Sequence, residues 1–118
     1  MAAHNELGKL GEDIAAKRLA SKGYEIIERQ WHFRHKEIDI IARKDNVIAI
    51  VEVKTRSSEQ FGDSSDFITG NKIDFLIAAS DAYVRQKGLN CDIRFDVISI
   101  FVIGNEYRVE HIENAFIS

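Results

Sequence analysis

Leu7, Leu10 and Ile14 recur at three- and four-residue spacing, and Ala15 and Leu19 widen the stripe. That period predicts an amphipathic helix over residues 6 to 22, stopped by Gly23 with Lys22 in its last turn. Gly8 and Gly11 each cost a helix interior about 1 kcal/mol relative to alanine, so both read as points of close packing against a sheet. No strand precedes them and the P-loop spacing is absent, which excludes a phosphate loop. From Tyr24 the pattern becomes that of strands. Tyr24 to Phe33, Glu37 to Arg43 and Val47 to Arg56 follow one another, joined by the polar Arg34 to Lys36 and by Lys44-Asp45-Asn46. So tight a second connection makes the second and third strands an antiparallel hairpin. Ser57 to Ile68 is polar and holds Gly62, the longest loop and a candidate flap. Thr69 is placed to cap a second helix, whose apolar stripe runs through Ile73, Leu76, Ile77, Tyr83 and Val84 and which Gly88 closes. Asp92 to Ile103 and Glu106 to Ile112 are the last strands, turning at Gly104-Asn105. The order is αβββα followed by ββ. Its crossover from third strand to fourth is expected to be parallel and right-handed.

The third strand breaks its own pattern. Ile48 to Val51 is a buried apolar run, yet Glu52 and Lys54 follow on one face, since strand side chains alternate with period two. A carboxylate in such a run is costly unless something pairs it. Asp39 interrupts the neighbouring strand in the same way. Phosphodiester hydrolysis needs an activated water, stabilised phosphoryl charge and a protonated leaving group. A hard cation held by one or two carboxylates serves all three. Asp39 and Glu52 suit such a cation, and Lys54 lies on the side where the attacking water or the pentavalent phosphorus would be.

Composition narrows the classes. At 118 residues, 45% hydrophobic and 30% charged, the chain reads as one globular domain, residues 1–118. No apolar run reaches the length of a membrane span, and the start lacks the basic flank and apolar stretch of a signal peptide. A cytoplasmic protein is therefore expected. Cys91 is the single cysteine, which excludes a disulfide framework or thiolate cage. The histidines show no paired zinc spacing. A net charge of −3 argues against binding nucleic acid by bulk charge. Arg29, Arg34 and Lys36, with His32 and His35, nonetheless form a local basic patch that fits either phosphate contact or a charged strand edge. Lys72, in the first turn of its helix, opposes the macrodipole, which favours a phosphate contact. Arg56 is either a phosphate clamp or a partner for Asp63 or Asp66. Arg94 and Asp96 share a strand face and read as a structural pair.

Glu37-Ile38-Asp39, twelve intervening residues and then Glu52-Val53-Lys54 resemble the PD-(D/E)XK nuclease signature. More of the chain resembles the YraN-like family of small bacterial proteins, related to archaeal Holliday-junction resolvases. The resemblance is carried by Gly8-Lys9-Leu10-Gly11-Glu12, Gly23-Tyr24, Glu37 to Ile41, Val51 to Arg56, Phe61-Gly62, Lys72, Arg94 to Val97 and His111 to Phe116. It implies an α/β, restriction-endonuclease-like αβββαβ core, a mixed central sheet flanked by helices. It also implies a Mg²⁺- or Mn²⁺-dependent endonuclease acting on DNA, with branched or junction DNA among its substrates. Asp39, Glu52 and Lys54 would be the catalytic trio. Asp39, Glu52, Glu12 and the Val53 backbone carbonyl would be metal ligands. From their charge and placement, Arg56, Lys72, Arg34 and Lys36 are the expected nucleic-acid contacts. The chain departs from the pattern at Lys36, where a glycine is usual, at Gln30, where an asparagine is usual, and at Gly70, where a proline is usual.

Two other readings stay open on residue chemistry. One is a non-catalytic nucleic-acid-binding module of the same fold. The other is a protein-interaction domain presenting Trp31, Phe33 and Ala115-Phe116-Ile117. A homodimer would suit a two-fold junction, which needs two sites, though no residue pattern specifies one.

Overall fold

The computed structural model of the chain describes residues 2–57 and 70–115, and of residues 2–5 only the helical backbone. The expected flap, the Thr69 cap, Asp63, Asp66 and the terminal Phe116-Ile117 lie outside the described residues.

Helix α1 (Ala2–Ser21) leads into β1 (Glu25–Phe33), β2 (Lys36–Lys44) and β3 (Val47–Ser57). Helix α2 (Gly70–Lys87), β4 (Asp92–Ile103) and β5 (Glu106–Ile112) follow. The strands form one sheet in the order β1-β2-β3-β4-β5. β3 and β4 pair in parallel over a long register, from Val47 opposite Asp92 to Ser57 opposite Val102. The other neighbours are antiparallel. This is the mixed α/β architecture of a restriction-endonuclease-like αβββαβ core, with β5 added at the edge. Among the described residues no helix is long and apolar enough to cross a membrane.

The sheet is covered on both faces, and alternation along β3 shows how. Ala49, Val51 and Val53 pack with Ile14, Ala15 and Leu19 of α1. Ile48 and Ile50 pack on the other face with Leu76, Ala79 and Tyr83 of α2. A strand buried on both sides needs a continuous apolar run rather than an alternating one, which is why Ile48 to Val51 carries no polar residue.

Helix α1 extends four residues further toward the N-terminus than its apolar stripe predicts, and ends where expected. Gly23, at φ 95°, turns the chain so that the Tyr24 amide donates back to the Leu19 carbonyl at 3.0 Å. The packing role expected of two helix glycines holds for one. A Cβ on Gly11 would lie 1.7 Å from Thr55 Oγ1 and 2.8 Å from Thr55 Cβ, whereas one on Gly8 would meet nothing within 4 Å. Gly11 is thus the point where α1 lies against β3.

Beyond β5 the chain is tied back by one buried carboxylate. Asp96, 1% exposed, accepts from Arg94 Nε and Nη2 at 2.8 and 2.7 Å, from the Asn114 amide at 3.1 Å and from His111 Nε2 at 2.8 Å. Lys22 Nζ, which can only donate, lies 2.8 Å from His111 Nδ1 and fixes the tautomer that donates to Asp96. Burial pulls the Asp96 carboxyl up, but the bonds from His111, Arg94 and Asn114 outweigh it and hold it below the usual range. The expected Arg94–Asp96 pair is present, and His111, which sequence reasoning left without a role, completes it.

Candidate active site

Two irregularities meet at Asp39. Ile40 packs on the α1 face, whereas Ile38, two residues earlier, packs on the α2 face. Strict alternation would put both on one face, so β2 changes face at Asp39. β1 does the same opposite it. Arg29 stands across from Ile40 and Trp31 across from Ile38, leaving Gln30 facing Asp39. Gln30 takes a left-handed φ of 52°. The β2–β3 ladder ends one pair earlier, at Ile40 opposite Val51. Asp39 is thereby released from the pleat at the point where β2 and β3 part. Its Oδ2 accepts the Val53 amide at 2.8 Å, replacing the ladder partner that amide would otherwise need.

Glu52, the next position on β3, is buried at 6% exposed. Lys54 Nζ lies 3.8 Å from its Oε1 and Lys72 Nζ, from α2, 3.1 Å from its Oε2. Asp39 feels Glu52 closely. Burial first, then the charge of Glu52, push the Asp39 carboxyl from its ordinary 3.8 up to about 7. A hydrogen bond with Glu52 and the charge of Glu12 add to the rise, and the Val53 amide opposes it. Two carboxylates so placed hold a proton between them or need a cation there.

Asp39 opens into a cleft of about 760 Å³ lined by Glu12, Asp13, Arg29, Gln30, Val53 and Thr55 among others. Glu12, expected as a further metal ligand, does lean from α1 toward the sheet and is 8% exposed. Its carboxylate is already taken up, however. Arg29 Nε donates to Oε1 at 2.9 Å and the Gln30 amide to Oε2, while Arg29 Nη2 holds Asp13 at 2.7 Å. Among the described residues no three His, Cys, Asp or Glu side chains form a metal cage. The carboxylates that remain are those of the Asp39–Glu52 pair. That set fits a cation that takes one or two carboxylates and keeps its waters, as Mg²⁺ does.

The expected nucleic-acid contacts fall in three places. Lys72 is drawn onto Glu52, at the carboxylate pair. Arg34 and Lys36 stand exposed at the β1–β2 turn, with the Arg34 guanidinium 4.8 Å from the Phe33 ring centre and Lys36 Nζ 5.7 Å from that of Phe75. Arg56 is buried, 8% exposed, its guanidinium 6.0 Å from the Phe101 ring centre, so its charge belongs to the interior. Gln30, Arg29 and Thr55 line the cleft without having been expected there as site residues. For Gln30 a signal existed: the asparagine usual at its position is the residue type that best tolerates left-handed φ.

Fold and site together define a restriction-endonuclease-like α/β protein with paired carboxylates where its central hairpin parts, Asp39 of the pair opening into a cleft. Residues 11–100 match the family described as Uncharacterised protein family UPF0102. The UPF0102 protein of Flavobacterium psychrophilum is 49% identical over 116 residues, covering 98% of each chain. That of Flavobacterium johnsoniae is 48% identical over 120 residues, again 98% of each. That of Bacteroides thetaiotaomicron is 41% identical over 116 residues, 98% of this chain and 96% of the relative. The chain belongs to the UPF0102 family, the YraN-like family its motifs resemble.

Proposed function

We propose that this protein hydrolyses DNA phosphodiesters as a Mg²⁺- or Mn²⁺-dependent endonuclease, with branched or junction DNA as its substrate class. The observation that carries the reading is the Asp39–Glu52 pair. The Asp39 carboxyl is raised to about 7 by burial and by the charge of Glu52, and two lysines stand at Glu52. A desolvated acid–acid contact serves no structural end of its own.

In this reading Asp39 and Glu52 hold the cation, with the Val53 carbonyl as a further oxygen. A bound divalent ion would lower the pKa of a water and neutralise phosphoryl charge. Lys54 orients the attacking water and offsets the charge that gathers on the pentavalent phosphorus. Lys72 bridges the carboxylates and the incoming phosphate, and Arg34 and Lys36 carry the backbone past the site. Such contacts read shape and phosphate rather than base sequence.

Glu12 favours a second reading. Its carboxylate is paired with Arg29 and hydrogen-bonded by Gln30, which leaves the metal set at two side chains and is compatible with a module that binds DNA without cutting it. Titration calorimetry with Mn²⁺, run beside cleavage of supercoiled plasmid, separates the two. The nuclease reading expects Asp39→Asn to lose both metal heat and cleavage, and Lys54→Ala to keep the heat and lose cleavage. DNA binding without metal heat or cleavage in the wild type selects the binding module.

A further inference from the structure

A second concavity, about 250 Å³, lies between the β1–β2 turn and the first turns of α2, lined by Arg34, Lys36, Asn71, Asp74 and Phe75 among others. Phe75 is half-buried, and two cations stand near its ring. Lys36 Nζ is 5.7 Å from the ring centre and Lys72 Nζ 5.9 Å from it. Phe33 stands 6.1 Å from the same ring at 46°, and Arg34 lies over Phe33. Lys72 and Phe75 are three residues apart on α2 and so share a helix face. Lys72 also touches Glu52. An aromatic face flanked by cations therefore begins one side chain away from the carboxylate pair.

We propose that this concavity binds one unpaired nucleotide of the DNA, its base stacked on Phe75 and the phosphates on either side of it met by Lys36 and Lys72. The inference rests on the DNA reading above and deepens it by naming the substrate feature recognised beside the cut. Stacking on an aromatic ring between basic side chains is how single strands are held. A base inside a duplex already stacks on its neighbours and has no face to offer. Asp74, exposed at the rim, repels a phosphate but accepts from an exocyclic amino group, and the Asn71 amide both donates and accepts. The pocket thus suits a base, and the lysines on either side of it suit the backbone. At about 250 Å³ the cavity has room for a single base and not for a duplex.

The test is fluorescence anisotropy of the full chain, with chelator present to prevent cleavage. It compares a blunt duplex with the same duplex carrying a single-stranded branch, with 2-aminopurine at the first unpaired position. The wild type is expected to bind the branched DNA about tenfold more tightly and to quench the 2-aminopurine. Phe75→Leu keeps the apolar bulk toward the core and removes the aromatic face. It is expected to abolish the quench and bring the two affinities within about twofold, with an unchanged circular dichroism spectrum, while Phe75→Tyr restores both. Lys36→Ala, at an exposed site, is expected to weaken the branched complex and leave the fold intact. Equal wild-type affinity for the two DNAs overturns this inference and leaves the DNA reading standing, as does a preference that survives Phe75→Leu. No affinity for either DNA overturns both.

Discussion

Replacing Asp39 with asparagine should stabilise the metal-free protein, by an amount that depends on pH. The folded state raises the Asp39 carboxyl from 3.8 to about 7, a difference of about three pH units at about 1.4 kcal/mol each. The folded protein therefore holds this proton more tightly than the unfolded chain does. Below about pH 4 both states are protonated and the site costs nothing. Between about pH 4 and 7 the unfolded chain ionises first, and stability falls as pH rises. Above about pH 7 the full penalty is present, up to about 4 kcal/mol. Asparagine keeps an oxygen for the Val53 amide and carries no charge. Urea unfolding with chelator should thus show Asp39→Asn more stable than wild type by about 2–4 kcal/mol near pH 8. Near pH 4 the two should be about equal. A variant less stable than wild type near pH 8, or a difference independent of pH, would refute the assignment of a desolvated acid–acid contact at this site. Adding Mg²⁺ should close the gap from the wild-type side, by about 2.7 kcal/mol at a hundred times its Kd, and should leave the variant unmoved.

Other substitutions test other parts of the structure. Gly11→Ala should lose about 1–2 kcal/mol in chemical denaturation, since overpacking against Thr55 exceeds the gain in helix propensity; a variant as stable as wild type would mean that α1 is not seated where the contact places it. Asp96→Ala should cost about 3 kcal/mol, because it removes the acceptor of the buried His111 ring and of the Asn114 amide and one partner of Arg94, and thermal melts will show whether it does. Asp96 is held below the usual carboxyl range, so its contribution should persist above about pH 4 and be lost only as pH falls below that; an acid-unfolding midpoint unchanged in Asp96→Asn would contradict this. Lys54→Ala should retain the wild-type melting behaviour and lose cleavage.

Much of the fold was legible because its signals are local. β3 declares itself through a continuous β-branched run, and the β2–β3 hairpin through a turn at Asp45, which takes φ 55° as such a turn allows. The acids stood out because Asp39 and Glu52 violate an apolar pattern, and the hairpin put them on neighbouring strands. What the sequence concealed depends on partners far apart along the chain. The face change at Gln30 and Asp39 breaks the very periodicity that sequence reading relies on. Glu12 was recognised as leaning inward, yet its capture by Arg29 and Gln30 needs α1 and β1 brought together. Arg56 looked like a surface cation, and its burial under Phe101 depends on the parallel pairing of β3 with β4. Gly8 and Gly11 are indistinguishable in sequence, and only the contact with Thr55 separates them.

The most direct test of the central claim is cleavage of supercoiled, linear, single-stranded and four-way-junction DNA by the purified protein, with Mg²⁺ or Mn²⁺ and beside Asp39→Asn. Metal-dependent cleavage, strongest on branched or junction DNA and absent from the variant, is the predicted result. Failure of a folded sample to cut any of these DNAs with either metal, or equal cutting by wild type and Asp39→Asn, would contradict it.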